Sequence, residues 1–473
     1  MTDPSLPHMP LDNFRRHGHE LIDWIADYLE TIEDRPITPA VEPGDIRAKI
    51  PSTAPATGED MGSILADLDD VVMPGITHWQ HPGWFAYFPA SSSPASILGE
   101  IASAGLAVQG MLWSTSPAVT EVESAVMDWL VDLLGLPPTW RTDTGPGGGV
   151  IQMSASDCTH TALVVARDRA VARGASRDDV VAYSSAHAHF SLEKGSWVAG
   201  YQHIRAVPVD STFAMDPAAL RAAIEADIAA GLTPAFVCSA VGTTGTTAVD
   251  PVRGIGEISR EFDLWHHIDA AYAGSAMVCP EMRHHQDGLE LVDSYTFNPH
   301  KWLLTNFDCS VFFVADRAQL IGTLSIASPL MSNTASDDGA VVDYRNWHVP
   351  LGRRFRALKL WFVLRSYGAD GLEAYIRQHL GWATEFTGKV ESHARLELVA
   401  PTTFALISFR HAGGDEATAA LADTINASGW AHITVSEADG RPFVRVSIGS
   451  TWTQKRHVDA LWDLITNALE EQS

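Results

Sequence analysis

Apolar residues Phe14, Leu21, Ile25, Tyr28 and Ile32 follow one another at steps of seven, four, three and four. That spacing predicts one amphipathic helix over residues 12–34, with Asp12 as N-cap and Arg35-Pro36 as its end. Its apolar stripe needs a cover, either from its own domain or from a second subunit. Residues 36–58, rich in Pro, Gly and Ala, read as an extended connector, and a second helix is predicted at about 60–72. Residues 79–95 (WQHPGWFAYFPASSSPA) suit neither helix nor strand and read as a shaped loop. Over 120–135, Val122, Val126, Leu130 and Leu133 mark an inward helix face, with Thr120 and Glu123 as a capping box. Gly145–Gly149 reads as a turn-rich break.

From about 150 to 315 short β-rich runs alternate with helical stretches. The candidate strands are Val180–Tyr183, Ile204–Val207, Phe236–Ala240, Leu264–Ile268, Ser294–Phe297 and Ser310–Val314. Helical runs at Pro217–Ala230 and Val252–Phe262 separate some of them. This alternation predicts an α/β domain with a mainly parallel sheet, whose ligands sit at the strands' C-terminal ends. Residues 325–343 are small and polar and read as a mobile stretch. A long helix is predicted over 353–367. Strand runs at Phe404–Phe409 and Val444–Ile448, with helical runs at 416–428 and 454–470, predict a smaller α+β domain.

Charge narrows the partners. The chain has 473 residues, with Lys plus Arg 32 and Asp plus Glu 58, a balance of −26. Such a surface repels phosphate backbones and anionic headgroups, which argues against nucleic acid and membranes as partners. Four scattered cysteines without CxxC spacing argue against a disulfide framework or structural zinc, and favour a reducing compartment. The first twenty residues lack an apolar run, so no signal peptide is expected, and no stretch of 18 apolar residues occurs. The expectation is a cytoplasmic protein. The adjacent pairs His266-His267 and His284-His285 do not make a metal site, because neighbours on a strand point to opposite faces.

Four segments carry candidate chemistry. Ser154-Ala155-Ser156 opens a helix, either as a simple N-cap or as an anion site built from backbone N–H groups. His187-Ala188-His189 follows a strand and suits metal binding, ring stacking or a plain polar loop. Asp269 ends an apolar strand, where a buried carboxylate needs a cation: an arginine, or a ligand's protonated ring nitrogen. Lys301 in Asn298-Pro299-His300-Lys301-Trp302 stands among aromatic residues that suit an amine nucleophile, although a surface lysine is the commoner case. Together, lysine, aspartate, imidazole and a helix N-terminus are what pyridoxal phosphate requires.

The segments HWQHPGWFAYFPASSSPA, HIDAAYAGSA, FNPHKWLLTNFDCS and VPLGRRFRALKLWFVLRSYG resemble the pyridoxal-phosphate-dependent aromatic L-amino-acid decarboxylases, and the resemblance runs from about Asp12 to the final helix. It implies the type I, aspartate-aminotransferase-like fold of pyridoxal enzymes. It also implies a homodimer with an N-terminal helical dimerisation segment at 1–82, a cofactor domain at 83–358 and a small domain at 359–473. By resemblance, Lys301 binds the cofactor covalently, Asp269 faces its ring nitrogen and His189 stacks on the ring, while His187 is structural. Ala155 and Ser156 contact the phosphate. Thr244, Ala271, Asn298 and His300 surround the cofactor, and Leu351 and Gly352 approach it from the partner subunit. Trp79, Phe88 and Pro89 belong to the substrate pocket.

Three departures from the family pattern bear on the outcome. Ala90 stands where a threonine is common, and Gln109 and Met111 replace more apolar or aromatic pocket residues. Gly352 leaves room for an indole, so tryptophan is favoured over phenylalanine, tyrosine and dihydroxyphenylalanine. The stretch Thr323–Asp343, where relatives carry a loop tyrosine, contains no Tyr; Leu330 or Met331 takes its place, and Tyr344 is not the replacement. Loss of that hydroxyl is associated in the family with aldehyde synthases. The expected reaction is decarboxylation to the arylalkylamine, with aldehyde formation as the alternative.

Overall fold

The computed structural model describes residues 8–326 and 341–471. Its central sheet holds β1 (Gly148–Gln152), β2 (Val180–Ser185), β3 (His203–Val207), β4 (Thr233–Ala240), β5 (Trp265–Asp269), β6 (Ser294–Phe297) and β7 (Ser310–Val314), in the order β1-β7-β6-β5-β4-β2-β3. Strands β3, β2, β4, β5 and β6 are mutually parallel, while β7 runs antiparallel to β6 and to β1. Six of the seven lie in the predicted runs, because strands covered on both faces are nearly continuous apolar sequence. Helices Ala155–Ala172, Pro217–Ala229 and Val252–Glu261 supply crossovers between them.

The seventh strand was hidden by its glycines. Gly148 and Gly149 belong to β1 rather than to a turn. A Cβ on Gly148 would stand 2.5 Å from the Trp347 ring, and one on Gly149 would stand 2.6 Å from the Phe313 ring. These glycines admit neighbouring aromatic rings.

The second sheet is antiparallel, with β8 (Leu396–Leu398), β9 (Leu406–His411), β10 (Thr434–Ala438) and β11 (Arg441–Ser447) in the order β10-β11-β9-β8. Helices Asp415–Ala427 and Ala357–Ser392 pack on it, and Lys455–Glu471 packs on those two helices. Phe409, Val446 and Ile465 share one apolar cluster with Val126 and Ile268 of the larger unit.

Several helix limits differ from expectation. The first helix is Leu11–Glu30, followed by a single 3-10 turn at Ile32–Asp34. Asp12 lies in its first turn and pairs with Arg15, so it does not cap the helix. The connector expected to be extended holds a short helix, Asp45–Lys49, and the helix expected at about 60–72 is Met61–Asp67, which is capped by Asp60 and passes into a π turn at Leu68–Val72. The helix expected at 120–135 spans Pro117–Leu134, with Pro117 in its first turn and Ser116 at the N-cap. Thr120 and Glu123 are therefore interior positions, and no capping box forms there. The helix expected over 353–367 is Ala357–Ser392, broken at Gly368 by φ 65 and ψ 176, a backbone state that suits glycine. No helix among the described residues is long and apolar enough to cross a membrane.

Candidate active site

A cavity of about 180 Å³ opens where β4, β5 and β6 end. Its walls come from Phe88 of the aromatic loop and from five connections, each beginning where a strand runs out. The turn after β1 gives Ser154, Ala155 and Ser156; the segment after β2 gives His189 and Ser191. Gly242, Thr243 and Thr244 follow β4, Asp269 and Ala271 stand at the end of β5, and Asn298 and Lys301 follow β6.

Ser154 caps the Ala155–Ala172 helix, its hydroxyl accepting from Asp157 N–H at 3.1 Å. The N–H groups of Ala155 and Ser156 belong to the first turn, have no intrahelical acceptor, and stand at the cavity wall. The N-cap and anion-site readings are thus compatible.

Asp269 Oδ1 accepts from Ala271 N–H at 2.9 Å. Among the described residues no arginine, lysine or histidine forms an ion pair with it. The structural salt bridge weighed from sequence is therefore absent, and the carboxylate faces the cavity.

Burial pushes the Lys301 amine below its ordinary range; Asp269 opposes that shift and Arg445 adds to it. Lys301 Nζ lies 5.0 Å from the centre of the Phe88 ring. That ring stacks on Tyr272 at 4.0 Å, and Tyr272 stacks on Trp302 at 4.7 Å. The result is an aromatic wall behind the amine.

Burial also lowers the pKa of His189. Its Nδ1 accepts from Ser191 N–H at 3.2 Å and lies 2.7 Å from the Ser191 hydroxyl. With Nδ1 an acceptor, the neutral ring carries its proton on Nε2. His187 lies apart, edge-on to Phe213 at 5.1 Å.

Nine of the residues expected at the site line this cavity: Phe88, Ala155, Ser156, His189, Thr244, Asp269, Ala271, Asn298 and Lys301. Eight do not. His300 is buried beside it, with Nδ1 accepting from Cys309 N–H at 3.0 Å and burial lowering its pKa to about 3. Trp79 packs on Trp84 at 4.5 Å and on Tyr87 at 5.5 Å. Pro89 packs towards Gly449, and the Ala90 carbonyl accepts from Gln80. Gln109, Met111, Leu351 and Gly352 gather elsewhere. Gln109 Oε1 accepts from Arg353 N–H at 2.6 Å, the Met111 carbonyl accepts from Arg345 N–H at 3.1 Å, and Leu351 is exposed. Leu330 and Met331 lie outside the described residues. Tyr344 is buried, with its hydroxyl 3.0 Å from Ser124 Oγ, and does not line the cavity.

Sequence reasoning missed Ser191 and Arg445. Arg445 is buried in β11 with neutral partners: Gly245 O at 3.1 Å, Tyr87 O at 3.2 Å and Thr434 Oγ1 at 3.3 Å. Its signal was an arginine inside the apolar run Val444-Arg445-Val446.

The donor set fits pyridoxal phosphate. It offers an unpaired carboxylate for a ring nitrogen, an amine with lowered pKa for an aldehyde, an imidazole for the ring face and free helix N–H groups for a phosphate.

Residues 43–412 match the family model described as "Pyridoxal-dependent decarboxylase conserved domain". The chain belongs to the pyridoxal-dependent decarboxylases. As a member of that family it is a carboxy-lyase with pyridoxal phosphate as cofactor. It is 42% identical to tryptophan decarboxylase 2 of Oryza sativa subsp. japonica, over 97% of this chain and 94% of that one. It is 43% identical to phenylacetaldehyde synthase of Arabidopsis thaliana, over 97% of this chain and 96% of that one. The crystal structure of Oryza sativa TDC with PLP and tryptamine superposes with a TM-score of 0.96 at 37% identity, covering 100% of both chains. This decarboxylase thus shares its whole architecture with that enzyme.

Proposed function

We propose that this decarboxylase converts an aromatic L-amino acid, tryptophan foremost, to the arylalkylamine and CO2. One observation carries the reading: Lys301, Asp269, His189 and the Ala155–Ser156 helix start surround a single cavity walled by Phe88. The relatives named tryptophan decarboxylase support the substrate class. Product analysis with a panel of aromatic amino acids tests it.

In this reading Lys301 would hold the cofactor through its amine, whose pKa burial lowers in the direction that favours a nucleophile. Asp269 would hold a ring nitrogen in its protonated form. Ala155 and Ser156 receive the phosphate through first-turn N–H groups. Bound pyridoxal phosphate supplies an electron sink for the pair left when the Cα–carboxylate bond breaks. Phe88 orients the aromatic side chain and excludes water. His189, once it has taken up a proton as the imidazolium, would deliver the proton that Cα then requires and return to the neutral ring.

The active form is a homodimer in the cytoplasm. Supporting the dimer, Leu11 and Phe14 of the first helix, Leu98 and Ile101 of helix Pro94–Leu106, and Leu351 are exposed in the single chain. Gln109, Met111, Leu351 and Gly352, outside their own chain's cavity, then complete the partner's. Residues 1–82 act as the dimerisation segment, 83–358 as the cofactor domain and 359–473 as the small domain. Four buried free cysteines support a reducing compartment.

A second reading, the aldehyde synthase, rests on the missing tyrosine between Thr323 and Asp343 and on the relative named phenylacetaldehyde synthase. Oxygen consumption matched to turnover distinguishes it.

A further inference from the structure

β1 is the outermost strand of the central sheet, paired on one side with β7. On its other side Ile151 finds a side-chain pair instead of a strand. Its N–H donates to Glu123 Oε1 at 2.8 Å, and its carbonyl accepts from Arg353 Nη2 at 3.0 Å. Glu123 and Arg353 themselves meet at 2.6 Å, with side-chain exposures of 0% and 3%. A carboxylate and a guanidinium side by side reproduce the acceptor and donor of a neighbouring strand. An apolar pair of the same volume would leave both backbone groups of Ile151 unsatisfied.

Ile151 lies three residues before Ser154, whose hydroxyl caps the helix, and four before Ala155 at the cavity wall. The clamp therefore fixes the strand end from which the helix start projects. Arg353 also rests over the Tyr344 ring at 4.7 Å, and its backbone exchanges hydrogen bonds with Gln109 and Gly110.

We infer that Glu123 and Arg353 are positioning residues for the phosphate end of the cofactor, acting through Ile151 and the Ser154–Ser156 turn. The inference rests on the proposed reading of Ala155 and Ser156 as the phosphate site. Neither residue lines the cavity, so the pair acts by setting where the helix N–H groups stand.

The test compares apo full-length protein for binding of pyridoxal phosphate and of pyridoxal, which lacks the phosphate, by visible absorbance titration. Glu123→Gln and Arg353→Lys are expected to weaken pyridoxal phosphate about tenfold or more, the scale of a lost charged hydrogen bond, while pyridoxal binding shifts less than about twofold. Arg353→Lys keeps the buried charge and serves if a neutral variant does not fold. Ser156→Asp, which sets a negative charge against the phosphate, is run beside them. If the affinity ratio collapses in Ser156→Asp yet keeps its wild-type value in both pair variants, the positioning role is overturned. If the ratio survives in Ser156→Asp as well, the phosphate assignment itself fails.

Discussion

Arg445 stands over the ring of Phe88, its guanidinium carbon 5.2 Å from the ring centre, and Lys301 Nζ approaches the same ring at 5.0 Å. Two cations thus share one aromatic partner. Arg445 also grips the carbonyl of Tyr87, a residue held at φ 54, a left-handed state costly for a side chain of that size. The small sheet thereby holds the aromatic loop against the cavity.

Arg445→Met should therefore release Tyr87 and Phe88 together. The expected loss is about 10- to 100-fold in kcat/KM, equivalent to one or two lost charged hydrogen bonds. It also removes a positive neighbour that lowers the Lys301 pKa, so the acid limb of the pH–rate profile should move to higher pH. Arg445→Lys keeps a charge there and should keep the limb closer to wild type while still losing efficiency.

Asp269→Asn tests the role given to the carboxylate. The amide oxygen still accepts from Ala271 N–H, so the fold should stand. The charge opposite the ring nitrogen is gone, and kcat should fall about 10²- to 10³-fold with cofactor still bound. Single-turnover kinetics on the loaded variant reads this directly.

Burial lowers His379, His266 and His300 to about 3. A histidine whose folded pKa lies below its unfolded value near 6.5 gives stability that is present above about pH 6.5 and lost as pH falls towards the folded value. Each contributes a slope of about 1.4 kcal/mol per pH unit within that window. Asp250, raised to about 6 by burial, works in the opposite sense. His379→Gln retains an acceptor for Trp302 Nε1, which donates to the ring at 3.0 Å. Urea unfolding between about pH 6 and pH 4 should show the variant losing stability less steeply by that single-proton slope.

Much of this was legible from sequence. Ser294–Phe297 and Ser310–Val314 are strands with the expected limits, because buried β runs bounded by polar residues are unambiguous. Lys301, Asp269 and His189 were visible as short motifs at strand ends. β1 was not, because Gly148 and Gly149 look like a turn until the rings of Trp347 and Phe313 are in place. Arg445 was hidden by distance, since its partners Tyr87 and Gly245 lie far away in the chain. Glu123 looked like a cap because only the fold brings Arg353 to it.

Gly99 marks a second close approach. A Cβ there would stand 2.6 Å from the Cα of Lys359, so helix Pro94–Leu106 and helix Ala357–Ser392 touch backbone to backbone. Backbone cannot rotate aside as a side chain can. Gly99→Ala should cost about 1–3 kcal/mol in stability, read by chemical denaturation of the holoenzyme.

The central claim is decarboxylation of an aromatic amino acid at Lys301. Its most direct test is product analysis of wild type and Lys301→Ala with tryptophan, phenylalanine, tyrosine and dihydroxyphenylalanine, with and without oxygen. The expected result is CO2 and arylalkylamine in equal amounts, highest with tryptophan, unchanged without oxygen and abolished in Lys301→Ala. Aldehyde and peroxide formed at the expense of oxygen, or no CO2 from any of these substrates, would contradict it.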